Sequence, residues 1–358
     1  MSVKYADNLM GTIMPLSKQS YDAYCRRDTV QVLHSETYSG QNWTEKLLTH
    51  QNIRLVEVLQ GITNAHFHLI DPVASVYIAD QQNSRFSSPL KSWVEENGTI
   101  QIPHEQVYQE ETALIIGGMK NHWHFLINFL PRLIMARKIM GSSFEDLDCV
   151  VIHEATPMQQ DFLERLFPDV VFRQIPAGST AAYGFKSMFY LDFPKNTLLC
   201  PEILSLTRAV VLEAYEPRPT DLAAGIFVDR NPDIPRRRLA GRANKLAIFE
   251  EHGITPIFCE DYNFSQQIAL FHGADFVAGL HGAGMSNILF CRVGTPVLII
   301  DYKWPSEMYA LAQALDLRPL PILAEKVYNK TVEMRLRDLE ITPKQLDAAL
   351  TALKALTD

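Results

Sequence analysis

Three clusters in this chain have residue types and spacings that could do chemistry. The first is Ala278-Gly279-Leu280-His281-Gly282-Ala283-Gly284-Met285-Ser286-Asn287, which follows the apolar run Asp275-Phe276-Val277-Ala278. A second apolar run, Pro296 to Ile300, comes after it. Strand, glycine-rich turn, short helix and strand in that order let backbone N–H groups at a helix start face an anion. Small residues suit such a turn because a Cβ would hold a phosphate away from the backbone.

The second cluster is Asn121-His122-Trp123-His124-Phe125-Leu126-Ile127-Asn128-Phe129-Leu130-Pro131-Arg132-Leu133. Asn121 caps a predicted helix and places His122 and His124 in its first turn, with Asn121 and His124 on one face. The positive end of the helix disfavours His⁺, and a neutral imidazole can take a proton. Pro131 implies a kink or an early end to this helix.

The third cluster is Asp229-Arg230-Asn231 followed by Arg236-Arg237-Arg238, with Arg242 and Asn244 beyond. Guanidinium groups just past a strand end suit phosphate, because their donors form a fixed fork. The competing reading is a solvated basic loop.

Other groupings are weaker. Asp146-Leu147-Asp148 is formally a diphosphate-metal motif, but it precedes its strand instead of following it. His66 and His68 share one strand face without a third ligand nearby, which points to packing and not to metal. No metal site is expected. Five cysteines (Cys25, Cys149, Cys200, Cys259, Cys291) lack paired spacing, so reduced core thiols are expected. The missing GKS or GKT excludes a P-loop, and the missing GxSxG and HExxH weaken hydrolase readings. The dinucleotide fingerprint fits imperfectly, since Asn287 stands where its third glycine belongs, with Asp301 available for ribose hydroxyls. An NAD(P)-dependent oxidoreductase therefore stays open as an alternative.

The elements that must carry these residues follow from periodicity. Short strands are expected at Ile53–Leu59, Ala65–Ile70 and Ser75–Asp80, preceded by an irregular arm and followed by a polar loop from Gln81 to Gly98. Thr112–Gly118, Asp148–His153 and Val170–Ile175 read as buried strands. They alternate with helices at about Asn121–Met140 and Pro157–Phe167, and a helix from Pro201 to about Tyr215 closes this half. Glu216-Pro217-Arg218-Pro219-Thr220-Asp221 reads as a linker. Strands Ala224–Asp229, Ile254–Phe258, Asp275–Ala278 and Val297–Asp301 alternate with helices at Arg242–His252, Asn263–Phe271 and Pro305–Leu315. A last amphipathic helix, Pro343–Leu356, is expected to pack back across the first domain. Alternation of this kind predicts an α/β protein with parallel, doubly wound sheets.

Composition narrows the classes. The chain has 358 residues, 47% of them hydrophobic, and a formal net charge of −8. That is enough for about two domains and argues against sequence-independent nucleic-acid binding, which needs a cationic face. The start, Met1 to Asp7, has no apolar h-region, and no uncharged apolar stretch approaches the ~18 residues of a membrane span. A cytoplasmic location is expected, with association at the inner face of the membrane kept open.

Taken together, Asn121-x-x-His124-Phe-Leu with Pro131-Arg132-Leu133, Val228-Asp229-Arg230 with Arg237-Arg238-Leu239 and Asn244, and His281 to Phe290 resemble glycosyltransferase family 61. Bacterial members of that family are often described as capsular polysaccharide biosynthesis proteins. The resemblance covers about Thr112 to Asp301. One departure is visible: the family's usual Asn-Glu pair is Asn244-Lys245 here. The resemblance implies a GT-B architecture, two Rossmann-like domains facing a cleft, and inverting, metal-independent transfer from a nucleoside-diphosphate sugar to a glycan or glycolipid. It implies no cofactor beyond that substrate. The expected layout is an acceptor-side domain over 1–215 (irregular and β-rich to 98, α/β from 99), a donor domain over 222–325 and a helical tail over 326–358. His124 is the expected base, with Asn121 and His122 orienting it and Asp229 and Glu154 as weaker alternatives. Arg230, Arg237, Arg238, His281, Gly282, Ala283, Gly284 and Asn287 are expected at the donor phosphates, and Asp301 or Glu307 at the ribose. Asn244-Lys245 keeps a third reading open, a non-catalytic partner in a polysaccharide assembly complex.

Overall fold

The computed structural model describes residues 47–59, 61–64, 106–192, 198–218, 224–231, 237–304, 306–328 and 337–356, with short stretches at 13–14, 17–18, 32–42, 69–71, 76–78 and 100–101 and single residues 67, 233 and 331. Cys25, His66, His68, the 81–98 loop and Arg236 lie outside the described residues. The chain divides into two compact units. The first comprises Met1–Ser39, His50–Lys120 and Asn128–Asn196, and the second Gly40–Thr49, Asn121–Ile127 and Thr197–Asp358.

In the first unit, β1 (Leu47–Leu59), β2 (Gln106–Gly117), β3 (Cys149–His153), β4 (Phe172–Ile175) and β5 (Ala182–Asp192) make the main sheet. β4, β3, β2 and β5 run parallel in that order, and β1 lies antiparallel against β5. All five residues of β3 are buried, as a strand covered on both faces requires. Val56, Ala113, Ile115, Val151, Phe185 and Met188 belong to one core. Helix α1 (Leu130–Met140) follows a π-helical turn, Phe125–Phe129. The expected Pro131 irregularity takes that form, since proline supplies no N–H to continue the helical ladder. Helix α2 (Pro157–Leu166) opens on a capping box between Thr156 and Gln159.

β5 is central to this sheet, yet it was not expected from sequence. Gly184, Lys186 and Ser187 interrupt its apolar pattern, and its register against β2 shifts between Phe185 and Ser187.

The second unit opens with α3 (Pro201–Tyr215), the helix expected to close the first half. It packs instead on a 3-10 helix at Ala283–Phe290 and on α5 (Phe264–Gly273), burying Ile203, Leu204, Val211 and Tyr215. The sheet contains β6 (Gly225–Val228), β7 (Ile254–Ile257), β8 (Phe276–Leu280), β9 (Pro296–Asp301) and β10 (Arg318–Leu323). All neighbours are parallel, in the order β7–β6–β8–β9–β10. Helices α4 (Arg242–Glu251) and α6 (Glu307–Ala314) complete the alternation.

Strand order therefore reverses between β6 and β8. Loops leaving those two strands diverge to opposite faces and open a crevice at their carboxyl ends, where doubly wound sheets bind ligands. The last helix, α7 (Pro343–Lys354), packs on α4 and beneath β9 and β10 of its own unit. Leu346, Leu350 and Leu353 are spaced for one face and join Phe249, Leu298 and Ile300 in the core.

Candidate active site

Three features converge at the β6/β8 crevice. Asp229 and Arg230 leave the end of β6, and His281-Gly282 leaves the end of β8. A cavity of about 320 Å³ lies there, lined among others by Asp229, Arg230, Glu260, Gly282, Ala283 and Gly284. A larger cavity, about 780 Å³, is lined by Ala224, Asp275, Thr295, Pro296 and Arg318. Those residues start strands, so that cavity sits at the end of the sheet where such folds do not bind ligands. We place the site in the smaller one.

Asp229 is buried and holds the loops together. Its Oδ2 accepts from Arg242 Nε at 2.6 Å, and its Oδ1 accepts from the Arg230 backbone N–H at 2.8 Å. Both of its oxygens are thus engaged in holding the loops. Arg230 reaches across the crevice and donates from Nη2 to the His281 carbonyl at 2.6 Å. This crossing explains Gly282: a Cβ there would fall 1.9 Å from Arg230 Nη2. A side chain at 282 would therefore push the guanidinium out of this crossing. A Cβ on Gly284 would stand 3.1 Å from Cys259 Sγ and 3.2 Å from Val228 Cγ1. Ala283 starts the 3-10 helix.

His281 is itself fixed. Its Nδ1 meets Asp301 Oδ2 at 2.8 Å and its Nε2 lies 3.5 Å from Glu307 Oε1. Asp301 also accepts from the Ser306 hydroxyl, and from the Tyr302 backbone N–H at 2.7 Å. Burial works against the Asp301 charge, but these donors outweigh it and hold the carboxyl below its ordinary value. Asp301 was expected at ribose hydroxyls. The fold turns it inward as the partner of His281, and Glu307 faces the same imidazole while pairing with Lys303 at 2.7 Å.

The arginine cluster separates into different roles. Arg238 pairs with Asp338, Nη2 to Oδ2 at 3.2 Å, and its backbone N–H donates to Asp338 Oδ1 at 2.9 Å. Those bonds fasten 238–240 to 338–340, with Leu339 N–H donating to the Arg238 carbonyl and Ala240 N–H to the Leu339 carbonyl. Arg238 is thus a clasp between backbone segments. Arg237 sits at φ +54°, a left-handed conformation that costs a side-chain residue about 1–2 kcal/mol.

Lys326, which sequence reasoning did not single out, joins Arg237. The pairing of Glu325–Lys326 with Leu339–Glu340 brings it beside that clasp. Its ammonium lies 3.4 Å above the Tyr302 ring centre. Burial, then the charges of Arg237 and Arg337, hold its pKa below the ordinary lysine value. Cations brought together against their own repulsion suit a phosphate.

Lys245, the departure from the family pattern, has a structural partner. Its buried ammonium donates to the Ala240 carbonyl and pairs with Glu340 at 2.7 Å. This pairing joins residues 95 positions apart, and no sequence spacing could have shown it.

Asn121, His122 and His124 belong to the second unit. Asn121 caps the helix as expected, its Oδ1 accepting from the His124 backbone N–H at 3.3 Å. His122 packs 5.5 Å from the Phe264 ring and meets Asn287 Oδ1 at 2.9 Å. Burial lowers its pKa, and the bond to Asn287 offsets this only in part. Asn287, expected at the donor, is fully buried and donates to Gln267 Oε1 at 2.8 Å.

The remaining expectations fall on the first unit. Glu154 pairs with Lys120 at 2.9 Å, and that contact holds its pKa below the ordinary carboxylate value, so it is a poor base. Asp148 accepts from the Thr112 N–H at 2.8 Å and fastens β3 to β2. Arg132 is 1% exposed and donates to the carbonyls of Ile116 at 2.7 Å and Leu191 at 3.1 Å. Cys149, Cys200, Cys259 and Cys291 are buried free thiols, and burial pushes Cys149, Cys259 and Cys291 up to about 12. Among the described residues, no group of three or more His, Cys, Asp or Glu side chains is placed to hold a metal, and no helix is long and apolar enough to cross a membrane.

The sequence model of the family described as Glycosyltransferase 61 matches residues 122–298. That match supports this family and, with it, a glycosyltransferase. It contains His122, Asp229, Arg230, His281 and Asn287, while Asp301, Glu307 and Lys326 lie beyond its end. No curated protein matches the chain. Among solved structures, the chain is similar to the dodecameric iron-containing heptosyltransferase TibC in complex with ADP-D-β-D-heptose, at 10% identity over 91% of this chain and 93% of that one, TM-score 0.37. It is similar to the iron-containing dodecameric glycosyltransferase TibC from enterotoxigenic E. coli H10407, at 11% identity over 72% and 77%, TM-score 0.33. It is also similar to a flavo di-iron protein mutant from Thermotoga maritima, at 11% identity over 64% and 52%, TM-score 0.26. Scores this low carry no argument about activity, metal or assembly.

Proposed function

We propose that the chain is an inverting glycosyltransferase that moves a sugar from a nucleoside diphosphate to a glycan or glycolipid acceptor, in the making of a cell-surface polysaccharide. The observation that carries this reading is the Arg230–Gly282 crossing at the β6/β8 crevice. A guanidinium, a glycine-rich turn and a strand-order reversal coincide there, which suits a diphosphate. A GT-B arrangement, a cytoplasmic location and an acceptor-side role for the first unit belong to the same reading.

On this reading the diphosphate lies against the turn Gly282-Ala283-Gly284, and Arg230 neutralises it. Arg237 and Lys326 supply further positive charge. As the glycosidic bond breaks, its electron pair passes to the departing phosphate oxygen. Charge there grows toward the transition state, so fixed cations favour that state over the bound donor. In this proposal the side-chain cations do that work and no metal ion is required. His281, held by Asp301 and Glu307, stands at the same turn and orients the donor. Inversion also needs a base for the acceptor hydroxyl, and the histidines at the start of the 122–140 helix supply it.

A thermal-shift panel of UDP- and GDP-sugars against NAD(P) tests the reading. Bound donor stabilises the folded chain by mass action, so at least one nucleotide sugar should raise Tm. A shift with NAD(P) alone would favour the oxidoreductase.

A further inference from the structure

Gln267 and Asn287 form a buried relay whose direction is dictated by the backbone. Gln267 places one side-chain atom 2.8 Å from the Cys259 carbonyl and 2.9 Å from the Tyr262 carbonyl. Carbonyl oxygens only accept, so that atom is the amide nitrogen and the other is its oxygen. The Gln267 oxygen lies 2.8 Å from Asn287 and must be given a proton, which fixes Asn287 Nδ2 there and turns Asn287 Oδ1 toward His122. An amide oxygen accepts, so His122 Nε2 carries the hydrogen in their 2.9 Å contact. In neutral imidazole the other nitrogen then holds a lone pair. His122 Nδ1 makes no hydrogen bond among the described residues. Gln267 and Asn287 are 2% and 0% exposed, so water cannot reverse the relay.

We propose, building on the transferase reading, that this relay fixes His122 as the Nε2–H tautomer and makes His122 Nδ1 the base that takes the acceptor proton. The acceptor oxygen bonds to the anomeric carbon, the bond to the nucleotide breaks with its electron pair on the phosphate oxygen, and the hydroxyl proton moves to Nδ1. The resulting imidazolium still donates from Nε2 to Asn287, so the relay need not rearrange during the step. His122, cast by the motif as an orienting neighbour of His124, is the histidine whose accepting nitrogen the fold defines. Gln267 and Asn287 are positioning residues.

The 3-10 helix 283–290 packed against this turn has no titratable side chain, and α5 carries only His272, which bonds the Phe290 carbonyl at 3.1 Å. The Cys259 Sγ lies 3.7 Å from Asn287 Nδ2, and burial pushes that thiol up to about 12. His124 lies on the same turn as His122.

The test uses the full chain with the nucleotide-sugar panel, reading nucleotide release with water in place of the acceptor. His122→Gln keeps a donor toward Asn287 but removes the base. Release should fall about 100-fold or more while donor affinity stays within a few-fold. Asn287→Asp places a carboxylate against Nε2–H and should move the acid limb of the kcat/KM profile upward by about one pH unit. Histidine ¹⁵N spectra of the unaltered chain should show Nε2–H at His122. Near-normal release by His122→Gln, an Nδ1–H tautomer, or an unmoved acid limb in a folded Asn287→Asp protein would each overturn the proposal. Failure of every nucleotide sugar to bind the unaltered chain would overturn the transferase reading and the base with it. Donor binding with unimpaired release by His122→Gln would remove the base alone.

Discussion

Arg230 Nη2 bonds to the carbonyl of His281 at 2.6 Å, tying the loop after β6 to the loop after β8 across the point where strand order reverses. The guanidinium occupies the space a Cβ on Gly282 would need. Gly282→Ala should therefore displace Arg230 while leaving the buried sheet intact. We expect a loss of about tenfold or more in donor affinity and kcat/KM, with a stability change of about 1 kcal/mol or less. Calorimetry with the donor and a denaturant titration separate the two effects. Unchanged donor affinity would detach this crossing from phosphate binding.

Arg132 belongs to the Pro131-Arg132-Leu133 motif, but its role is structural. It satisfies carbonyls at the ends of β2 and β5 and lies 5.2 Å from the Tyr190 ring centre. Arg132→Met should orphan both carbonyls and destabilise the first unit by about 2–4 kcal/mol. Hydrogen exchange of β2 and β5 amides would report it. Lost donor binding at full stability would show that the arginine acts elsewhere.

Lys245 and Glu340 should behave as a couple. Glu340→Gln leaves a buried ammonium with reduced compensation and should cost about 1–3 kcal/mol, less than a fully buried pair because Glu340 is half-exposed. Lys245→Met should cost less, since no buried charge remains. A double-mutant cycle measures the coupling. Additive effects would mean that the contact contributes nothing.

Acid should destabilise the protein before its carboxylates titrate. Burial lowers the pKa of His122 and His153 from their ordinary 6.5. Between the lowered folded values and 6.5 the unfolded chain binds more protons, so stability rises with pH there. It is fully present above about 6.5 and is lost as pH falls toward the folded values. Tm should drop between pH 7 and 5, and less so in the double variant His122→Gln, His153→Gln. Asp301 adds to the loss only below its ordinary 3.8. A flat Tm over pH 5–7 would contradict the burial of these imidazoles.

The positions of most strands and helices were legible because their signals are local. β3, β8 and β9 are unbroken apolar runs, and Asn263 and Thr342 announce their helices through capping boxes. β10 was not legible, since Pro319 and Pro321 speak against a strand. They fit because, among the described residues, β10 pairs only with β9, at the edge of the sheet. Arg230 and the 282–284 glycines were also visible, as residues placed just beyond strands.

What the sequence alone determined is thus the alternation of elements and the residue types at strand ends, which depend on neighbours a few positions apart. The tertiary structure decided which of those residues work together. It turned Asp301 onto His281, gave Arg238 to Asp338 and Lys245 to Glu340, and brought Lys326 beside Arg237. It also set the tautomer of His122 through Asn287, which lies 165 positions away. Such pairings depend on strand order and burial, and a buried polar group bonds to whatever the fold brings within reach of it.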